Sequence, residues 1–376
     1  MTSRTSLPRL TVVLSLSGDG GVEHMVLNLV AEFAEQGYPV DLVLLRDEGG
    51  HRERIPEGVQ VTRIGASAAL AVLPLARYLR RRRPSALLVA KERAGRAVAR
   101  ARALSGVSTR LVLRLGNTAS ASLANAPRLK RWWRLRALRT ACRRADTVVA
   151  VSDGVAAEVA AVSGIAPERI RVVRNPVITP RLHQLAEAPV PHPWLGPQRE
   201  APVLMGIGRL RPQKDFATLV QAFAQVRRAR ACRLILLGEG PERGELERLA
   251  EALGVQADVL LPGFQSNPYR WLARADLFVL SSAWEGSPNV LTEALALGVP
   301  AVATDCPSGP RETLQAGRVG PLVPVGDAPA LAQAIQATLD EPPAAAHLQE
   351  AVAAYRAELS AARYLELLIG DAPACG

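Results

Sequence analysis

Short apolar runs alternate along the chain with longer stretches in which apolar residues recur every three or four positions. The first run, Leu10–Leu16, predicts a buried strand, and the apolar positions between Val22 and Phe33 then follow helical spacing. A second strand, Val40–Leu45, comes next, and the same alternation restarts at Val203–Ile207. Alternating strands and helices are typical of parallel sheets covered by helices. The pattern therefore predicts an α/β protein with Rossmann-like domains.

A proline-rich segment separates the two halves of the chain. Residues 181–202 lack hydrophobic periodicity and predict a linker between a first domain, residues 1–180, and a second domain, residues 203–350. A chain of 376 residues is also too long for one ordinary core. The pattern alone permits one long doubly wound sheet, but the break favours two domains that face a cleft.

A strand, a tight turn and a helix are predicted between residues 276 and 300. The apolar run Asp276–Leu280 is typical of a buried strand. Ser287 is expected to cap the helix, Pro288 to take its first position and Gly298 to end it. The turn would then lie at the carboxyl end of a parallel strand, where open α/β sheets bind their ligands.

Two carboxylates, Glu285 and Glu293, flank the start of this helix. A helix N-terminus favours a phosphate, because its first amides are unpaired and carry partial positive charge. Carboxylates beside it are suited to accepting hydrogen bonds from sugar hydroxyls. The segment fits a nucleotide-sugar site and, equally well, an ordinary helix that carries two surface glutamates.

Two cations follow the first strand of the second half. Arg209 and Lys214 lie in a loop beside Gly208. A guanidinium forks onto phosphate oxygens, and an ammonium adds a point charge. Each cation alone is more often an ordinary surface residue. Their coincidence with glycine turns, a capped helix start and two glutamates, all at strand ends, favours a diphosphate site that works without metal.

A glycine-rich turn, Gly18–Gly21, follows the first strand. It is an incomplete dinucleotide fingerprint, because Gly18 and Gly20 are followed by His24 and not by a third glycine near position 23. Gly20 and Gly21 are therefore interpreted as positions where the backbone approaches a ligand closely.

The net charge of +11 predicts anionic partners, which could be nucleic acid, anionic lipid or a phosphorylated substrate.

The four cysteines and five histidines are scattered, which argues against a metal centre or a disulfide framework and fits a reducing compartment. No apolar run is long enough to span a bilayer, and Leu10–Leu16 is expected to be a strand rather than a signal peptide.

Residues 128–144 form the most basic stretch. Trp132 and Trp133 stand beside Lys130 and Arg131 in a predicted helix that contains no acidic residue. This composition is typical of an interfacial helix that lies on anionic lipid. The alternatives are a surface helix whose tryptophans pack inward and a nucleic-acid surface, although the chain has no other known nucleic-acid module.

Four motifs in the second half carry a family resemblance. The chain reads Gly-Arg-Leu-Arg-Pro-Gln-Lys-Asp at Gly208–Asp215, Leu-Gly-Glu-Gly-Pro at Leu237–Pro241 and Pro-Gly-Phe at Pro262–Phe264. The fourth, Glu285–Pro300, begins Glu-Gly-Ser-Pro-Asn-Val-Leu-Thr-Glu-Ala. Together they resemble the retaining GT-B glycosyltransferases of family 4, and Gly20-Gly21-Val-Glu is similar to the N-terminal loop of that family.

The resemblance implies a GT-B fold, in which two Rossmann-like domains face a central cleft and the C-terminal helix, within residues 351–376, crosses back to the first domain. It implies retaining transfer of a hexose or N-acetylhexosamine from a nucleoside diphosphate sugar, with UDP as the expected nucleotide, to a lipid-linked or surface-glycan acceptor. The Asp305–Glu312 turn is similar to the branch that builds polyprenol-linked or surface polysaccharides. No metal or other cofactor is expected.

The resemblance also assigns roles to single residues. Arg209 and Lys214 would bind the diphosphate and stabilise the leaving group, and Glu285 would contact the donor sugar. Glu293 would accept hydrogen bonds from the ribose. Further donor contacts are implied for the glycine turns, the residues bordering the base and the helix start: Gly20, Gly21, Gly208, Gly263, Phe264, Ser287, Asn289 and Val290.

One position departs from the family. Many relatives carry a histidine after the strand at Arg110–Leu115, whereas this chain has Asn117 in that region, on the expected acceptor side. The basic, tryptophan-containing segment Lys130–Trp133 favours a lipid-diphosphate-linked acceptor, an anionic membrane surface as partner and a peripheral location on the inner, cytoplasmic face of the membrane.

Two other classes compete with this interpretation. One is a GT-B-like nucleotide-sugar epimerase or phosphorylase, although no set of acids and bases for proton abstraction is evident. The other is a basic membrane or nucleic-acid binder without catalysis, and a nucleic-acid partner is not expected.

Overall fold

The computed structural model of the protein consists of two compact units. One unit contains residues 1–177 and 355–376, and the other contains residues 178–354. The structure describes residues 7–16, 21–48, 52–116, 120, 123, 127–189 and 192–370. Each unit has its own parallel sheet, so the alternative of one long doubly wound sheet is wrong.

The first unit is built around a seven-stranded parallel sheet in the order β3-β2-β1-β4-β5-β6-β7. Its strands are β1 Leu10–Leu16, β2 Val40–Asp47, β3 Gln60–Arg63, β4 Ala86–Ala90, β5 Arg110–Leu115, β6 Thr147–Ala150 and β7 Ile170–Val172. The helices that connect them are α1 Gly21–Glu35, α2 Val72–Arg82, α3 Glu92–Ser105, α4 Arg128–Arg144 and α5 Asp153–Ser163.

Two apolar layers cover the two faces of this sheet. Helices α2 to α5 bury residues such as Leu79, Val98 and Leu138 on one face. Helix α1 buries Met25, Leu29 and Phe33, with Leu29 and Phe33 in the core of the other face. Burial on both faces explains why the central strands are almost continuously apolar in sequence.

The last helix of the chain also packs on the first unit. The helix, Ala357–Ile369, places Tyr364, Leu365 and Leu368 in the same core as α1. Tyr364 lies beside Arg114, which is 1% exposed and donates from Nη2 to Asn175 Oδ1 at 2.6 Å. Burial lowers the pKa of Arg114 and raises the pKa of Tyr364 to about 12. The crossing of the C-terminal helix to the first domain is thus confirmed.

The second unit contains a six-stranded parallel sheet in the order β10-β9-β8-β11-β12-β13. Its strands are β8 Val203–Ile207, β9 Arg233–Leu237, β10 Val259–Gly263, β11 Leu277–Leu280, β12 Ala301–Thr304 and β13 Leu322–Val323. Its helices are α6 Pro180–Ala186, α7 Phe216–Ala229, α8 Arg243–Ala252, α9 Tyr269–Leu272, α10 Asn289–Ala296, α11 Pro310–Thr313, α12 Ala328–Asp340 and α13 Ala345–Ala351. The C-terminal helix of the first unit is therefore α14.

Two predicted boundaries differ from the structure, and one strand was not predicted. Residues 181–202, predicted as a linker, lie in the second unit, where α6 buries Leu182 and Ala186 against Tyr269 of α9. The return to the first unit begins at Tyr355, not at residue 351, because Ala351 ends α13. The edge strand β3 was not predicted, since its four residues are polar or half-exposed and carry little apolar signal.

Both sheets reverse their strand order once, between β1 and β4 and between β8 and β11. At such a switch point the loops that follow the two central strands diverge and leave a crevice at the carboxyl edge. The loop that contains Arg209 and Lys214 follows β8, and the Glu285 turn follows β11. The topology of the second unit therefore brings these two sequence motifs to one edge.

Candidate active site

An ion pair joins the two loops at the switch point of the second unit. Lys214 Nζ lies 2.6 Å from Glu285 Oε1, and Ser282 Oγ donates to the same oxygen at 2.7 Å. Only 18% of the Lys214 side chain and 9% of the Glu285 side chain are exposed. Partial burial strengthens the attraction, because water screens it less. The structure thus brings together two of the three residues predicted to be catalytic.

Three further hydrogen bonds tie the Lys214 loop to the segment between the end of β11 and Glu285. Ser281 Oγ donates to the Lys214 carbonyl oxygen at 2.8 Å. The amide of Ala283 donates to the Gln213 carbonyl oxygen at 2.8 Å, and Gln213 Nε2 donates to the Trp284 carbonyl oxygen at 3.0 Å. These bonds hold the two backbones in register, so the ion pair is preorganised by the scaffold.

The turn after β12 braces Glu285 from the other side. The Glu285 amide donates to the Pro307 carbonyl oxygen at 2.7 Å, and the Ser308 amide donates back to the Glu285 carbonyl oxygen at 3.1 Å. Gly309 has a φ of 100°, and a β-carbon there would lie 2.6 Å from Pro288 Cδ. Glycine is required at this position for both reasons, and the Asp305–Glu312 motif therefore supports the Glu285 turn.

Helix α10 starts one residue later than predicted. It begins at Asn289 with Pro288 at the cap position, so Ser287 is not the N-cap. The Leu291 and Thr292 amides both donate to the Pro288 carbonyl oxygen, at 3.1 and 3.3 Å. Its end agrees with the prediction, because Gly298 follows the helix with a φ of 75°. Ser287, Asn289 and Val290 remain at the helix start, beside Glu285 in the chain.

Glu293 lies inside α10 and is only 6% exposed. Tyr269 of α9, itself 5% exposed, donates its hydroxyl to Glu293 Oε1 at 3.2 Å. Glu285 and Glu293 are both buried, so the interpretation of this segment as a helix with two surface glutamates is wrong. Sequence analysis missed Tyr269, since nothing in its local pattern links it to a residue that lies 24 positions later.

The glycines around Arg209 serve close packing. A β-carbon at Gly208 would lie 2.8 Å from Lys214 Cε, and one at Gly238 would lie 1.9 Å from the Gly208 carbonyl oxygen. Gly240 packs similarly against the Leu210 carbonyl oxygen, at 2.2 Å. The Leu237–Pro241 motif thus packs closely against the loop that carries Arg209 and Lys214.

Arg209 itself is exposed, and no hydrogen bond or ion pair engages it within the described part of the chain. Gly263 ends β10 with a φ of 83°, and Phe264 behind it is 56% exposed. Gly208 and Arg209 follow β8, and Gly263 and Phe264 lie at the carboxyl end of β10. The site residues predicted for the second domain therefore lie in the loops that follow the carboxyl ends of its strands or in the first two turns of α10.

Cys306 lies close to the ion pair. Burial, and then the negative charge of Glu285, raise the pKa of the Cys306 thiol to about 12. A thiol with this pKa stays protonated at neutral pH and is a poor nucleophile. Among the residues that the structure describes, no group of three or more His, Cys, Asp or Glu side chains could hold a metal ion.

The first unit contains fewer of the predicted site residues. Gly20 and Asn117 lie outside the described residues, and Gly21 is the exposed first residue of α1. An ion pair joins the first turn of α1 to the residue that follows β4: Lys91 Nζ lies 3.2 Å from Glu23 Oε1, and Glu23 is 2% exposed. Lys91 directly follows β4 and has a φ of 75°, which is a strained conformation for a lysine. Sequence analysis missed Lys91, although a lone lysine after an apolar strand was an available signal.

The tryptophans of α4 are exposed. Trp132 and Trp133 are 52% and 59% exposed, and Lys130 and Arg131 are also exposed. The alternative in which these tryptophans pack inward is therefore wrong. No helix in the described ranges is long and apolar enough to cross a membrane.

Two family models match the chain. Residues 201–341 match the model described as glycosyl transferases group 1, and residues 19–181 match the model described as glycosyltransferase family 4.

Solved structures agree with this fold. The chain is similar to the galactosyltransferase WaaB, with a TM-score of 0.74 at 19% identity over 97% of this chain and 99% of that one. It is also similar to Anabaena HepE in complex with UDP-glucose, with a TM-score of 0.75 at 21% identity over 96% of this chain and 99% of that one.

Curated relatives are also glycosyltransferases. The chain is 30% identical, over 85% of each protein, to the lipopolysaccharide core biosynthesis glycosyltransferase LpsE of Rhizobium meliloti. It is 29% identical to a diphospho-undecaprenol N-acetylgalactosaminyltransferase of Campylobacter jejuni, over 53% of this chain and 52% of that one. It is 37% identical to an uncharacterized glycosyltransferase of Methanocaldococcus jannaschii, over 39% of this chain but only 36% of that one. With its two parallel-sheet units and both family models matched, the chain belongs to the family 4 glycosyltransferases, which have the GT-B fold.

Proposed function

We propose that this protein transfers a hexosyl or N-acetylhexosaminyl group from a UDP-sugar to a lipid-linked or surface-glycan acceptor, with retention of configuration. The observation that carries the proposal is the Lys214–Glu285 pair, held by Ser282 at the switch point of the second sheet and followed in the chain by the start of α10. The cation and the helix N-terminus both suit a phosphate, and the carboxylate suits sugar hydroxyls.

The diphosphate is assigned to Lys214, Arg209 and the start of α10. A lysine ammonium has three donors, so Lys214 can keep its bond to Glu285 and also donate to a phosphate oxygen. Arg209 is exposed and can fork onto the diphosphate. Both charges would stabilise the leaving diphosphate as negative charge develops on it, which is the largest contribution that a site of this kind makes to the rate.

The sugar and the nucleoside are assigned to the buried acids and the edge of β10. Glu285 would accept hydrogen bonds from donor-sugar hydroxyls, and Ser282 and Lys214 fix its position. Glu293, oriented by Tyr269, would accept from the ribose. Phe264, which is 56% exposed, would border the base together with Gly263.

Retention follows if the acceptor attacks from the face that the leaving group occupies. The bond between the anomeric carbon and the phosphate oxygen breaks, the bond to the acceptor oxygen forms, and the acceptor proton passes to the departing phosphate. No enzyme base is needed for this proton. Because Arg209 and Lys214 supply the positive charge, we propose that the reaction proceeds without a divalent cation.

The acceptor class is proposed from the names of two relatives. LpsE acts in lipopolysaccharide core biosynthesis, and the Campylobacter jejuni enzyme acts on a diphospho-undecaprenol glycan. A lipid-linked acceptor of this kind is embedded in a bilayer, so the enzyme would work peripherally at the inner face of the cytoplasmic membrane. The exposed segment Lys130–Trp133 supports this location.

Thermal unfolding with a panel of nucleoside diphosphates and nucleotide sugars, in EDTA, tests the donor site. A ligand that binds only the folded state raises the melting temperature. We expect UDP or one UDP-sugar to stabilise the protein, and Arg209→Ala and Lys214→Ala to abolish the shift. Arg228→Ala, an exposed cation on α7, should leave the shift intact and serves as the matched control.

Product analysis then separates the alternatives. We expect transfer to an acceptor with the anomeric configuration of the donor retained, as seen by NMR. Interconversion of nucleotide sugars without acceptor would instead indicate an epimerase. Absence of any nucleotide-induced stabilisation would refute the donor site and favour a basic binding protein.

A further inference from the structure

The excess positive charge of the protein is confined to three neighbouring helices. Helices α2, α3 and α4 together contain 16 arginines and lysines and one acidic residue, a net charge of +15. The whole chain has 46 basic and 35 acidic residues, so everything outside these helices has a net charge of −4. The high isoelectric point of the chain thus comes from one part of its surface.

These three helices lie side by side on one face of the first sheet. Helix α2 packs against α3, and α3 packs against α4. Each buries an apolar stripe in the same core, including Leu79, Val98 and Leu138. An open groove bounded by Val72, Leu104 and Arg143 connects their outer surfaces. We name the outer surface of α2, α3 and α4 the basic face.

Most of the charge on the basic face is available to a partner. Twelve of its sixteen cations are exposed. A minority serve the fold, since Arg82 pairs with Asp41 and Arg80 donates to the Leu104 and Ser105 carbonyl oxygens. The Arg80–Arg83 run is therefore partly structural, whereas the eight cations of α4 face mostly outward.

The first two turns of α4 add an apolar element. Every residue from Pro127 to Trp133 is exposed, including Leu129 at 69%. Burial starts only at Ala137 and Leu138 further along the helix. The beginning of α4 is thus a helical segment without a core-facing side, in which one leucine and two adjacent tryptophans lie between cations.

We propose that the basic face docks on an anionic lipid bilayer, with Leu129, Trp132 and Trp133 inserted at the level of the headgroups. Tryptophan prefers this zone because its ring is apolar and its indole N–H is polar. Clustered arginines and lysines are attracted to the negative surface, and their long apolar stems allow them to remain at the headgroups. The inference deepens the proposed function, since it places the enzyme where a lipid-linked acceptor lies.

A bilayer fits the tryptophans better than a nucleic acid does. Trp132 and Trp133 meet edge to face with centroids 4.9 Å apart, and the Arg136 guanidinium lies over the Trp132 ring at 5.5 Å. A ring covered by a guanidinium is a poor platform for stacking bases, which needs an open face. The exposed Leu129 likewise has no use in binding a phosphate backbone.

Vesicle co-sedimentation of the full chain tests the inference, in the absence of any nucleotide sugar. The probes are phosphatidylcholine vesicles with and without phosphatidylglycerol. We expect binding only to the anionic vesicles, weakened when salt is raised from about 0.1 M to 1 M, because the screening length falls from about 10 Å to 3 Å. Absence of binding to the anionic vesicles at low salt would overturn the proposal.

Two double variants separate charge from insertion. Each basic residue beside an anionic surface contributes about a five-fold factor to binding, so Lys130→Glu with Arg131→Glu should weaken it by at least about 25-fold. Trp132→Ser with Trp133→Ser should weaken it at least about ten-fold and leave the remaining binding more salt-sensitive. Both pairs are exposed, so the melting temperature should change little.

Matched controls lie elsewhere in the chain. Arg228→Glu with Arg248→Glu makes the same charge change on exposed residues of α7 and α8, and Leu359→Ser removes an exposed leucine of α14. All three changes should leave vesicle binding intact. If the control pair weakened vesicle binding equally, net charge alone would drive adsorption, and the proposal that the basic face is the docking surface would be overturned.

Three further outcomes are decisive. Tighter binding to a single-stranded oligonucleotide than to vesicles, unaffected by the tryptophan variant, would assign the face to nucleic acid and overturn the proposal. Stabilisation by UDP and transfer to a water-soluble acceptor are measured on the same variants. Vesicle binding without these activities would refute the proposed function alone, and activity without vesicle binding would refute the docking face alone.

Discussion

Gly208→Ala displaces the proposed phosphate-binding lysine without removing its charge. A β-carbon at this position would lie 2.8 Å from Lys214 Cε and 3.1 Å from both Lys214 Cδ and Cγ. The backbone of Gly208 is outside the left-handed region, so an alanine strains only these side-chain contacts. Lys214 must move, and its 2.6 Å bond to Glu285 must lengthen or break.

The structure separates the effect of this change on activity from its effect on stability. Loss of one hydrogen bond between Lys214 and a phosphate oxygen should cost about 1.5–3 kcal/mol, which is about 10- to 150-fold in kcat/KM. The free energy of unfolding should fall by only about 1 kcal/mol, at the lower end for overpacking, because the obstructing group is a flexible side chain. Gly238→Ala is the contrasting variant. Its β-carbon would lie 1.9 Å from the Gly208 carbonyl oxygen at a φ of 140°, so it should destabilise by more than about 3 kcal/mol.

A double-mutant cycle with Lys214→Met identifies the route of the effect. The measurements are kcat/KM for the donor and the melting temperature of each variant. If Gly208→Ala acts through Lys214, the double variant should be no slower than Lys214→Met alone. Additivity of the two changes within about 0.5 kcal/mol would refute this reasoning, as would a Gly208→Ala enzyme with wild-type kcat/KM.

Three other variants test separate parts of the structure. Tyr269→Phe removes the hydroxyl that donates to Glu293, so KM for the donor should rise several-fold with kcat nearly unchanged; an unchanged KM would contradict the role of Tyr269. Burial alone would raise the pKa of Asp41, but hydrogen bonds from Arg82 and Tyr78 and the charges of Arg82 and Arg9 hold it below its usual range. Asp41 therefore stabilises the fold above its unfolded pKa of about 4, and this contribution is lost as the pH falls through the folded value. Asp41→Asn should lower the melting temperature at pH 7 and by progressively less towards pH 3, and a pH-independent difference would contradict the assignment. Tyr364→Ala in α14 should destabilise the first unit by about 3–5 kcal/mol in denaturant unfolding, and a loss below about 1 kcal/mol would show that this helix is dispensable there.

Local patterns predicted most elements of the fold. Strands such as β1, β8 and β11 are buried on both faces, so their sequences are apolar throughout and easily recognised. The end of α10 was predicted because a glycine in the left-handed region is a local requirement, and Gly298 meets it. The start of α10 was predicted one residue early, since Ser287 and Pro288 both have favourable cap chemistry and only the surrounding turn selects between them.

Elements that depend on distant partners were missed. The strand β3 and the helix α6 have weak patterns of their own, and pairing with β2 and packing on α9 stabilise them. Tyr269 and Ser282 were missed for the same reason, because their hydroxyls donate to carboxylates that only the folded chain brings within reach. The sequence left open the orientation of Trp132 and Trp133, because tryptophans in a basic helix can either pack into the core or face the solvent.

The sequence by itself determined the residue types of the proposed donor site and their places after strand ends, since the motifs around Arg209 and Glu285 are local. Only the tertiary structure decided that Lys214 and Glu285, 71 residues apart, meet at 2.6 Å. The reason is the reversal of strand order, which makes β8 and β11 neighbours although two strands intervene in the chain. The structure also showed that the surplus charge collects on α2, α3 and α4, because only packing makes these separate segments one surface.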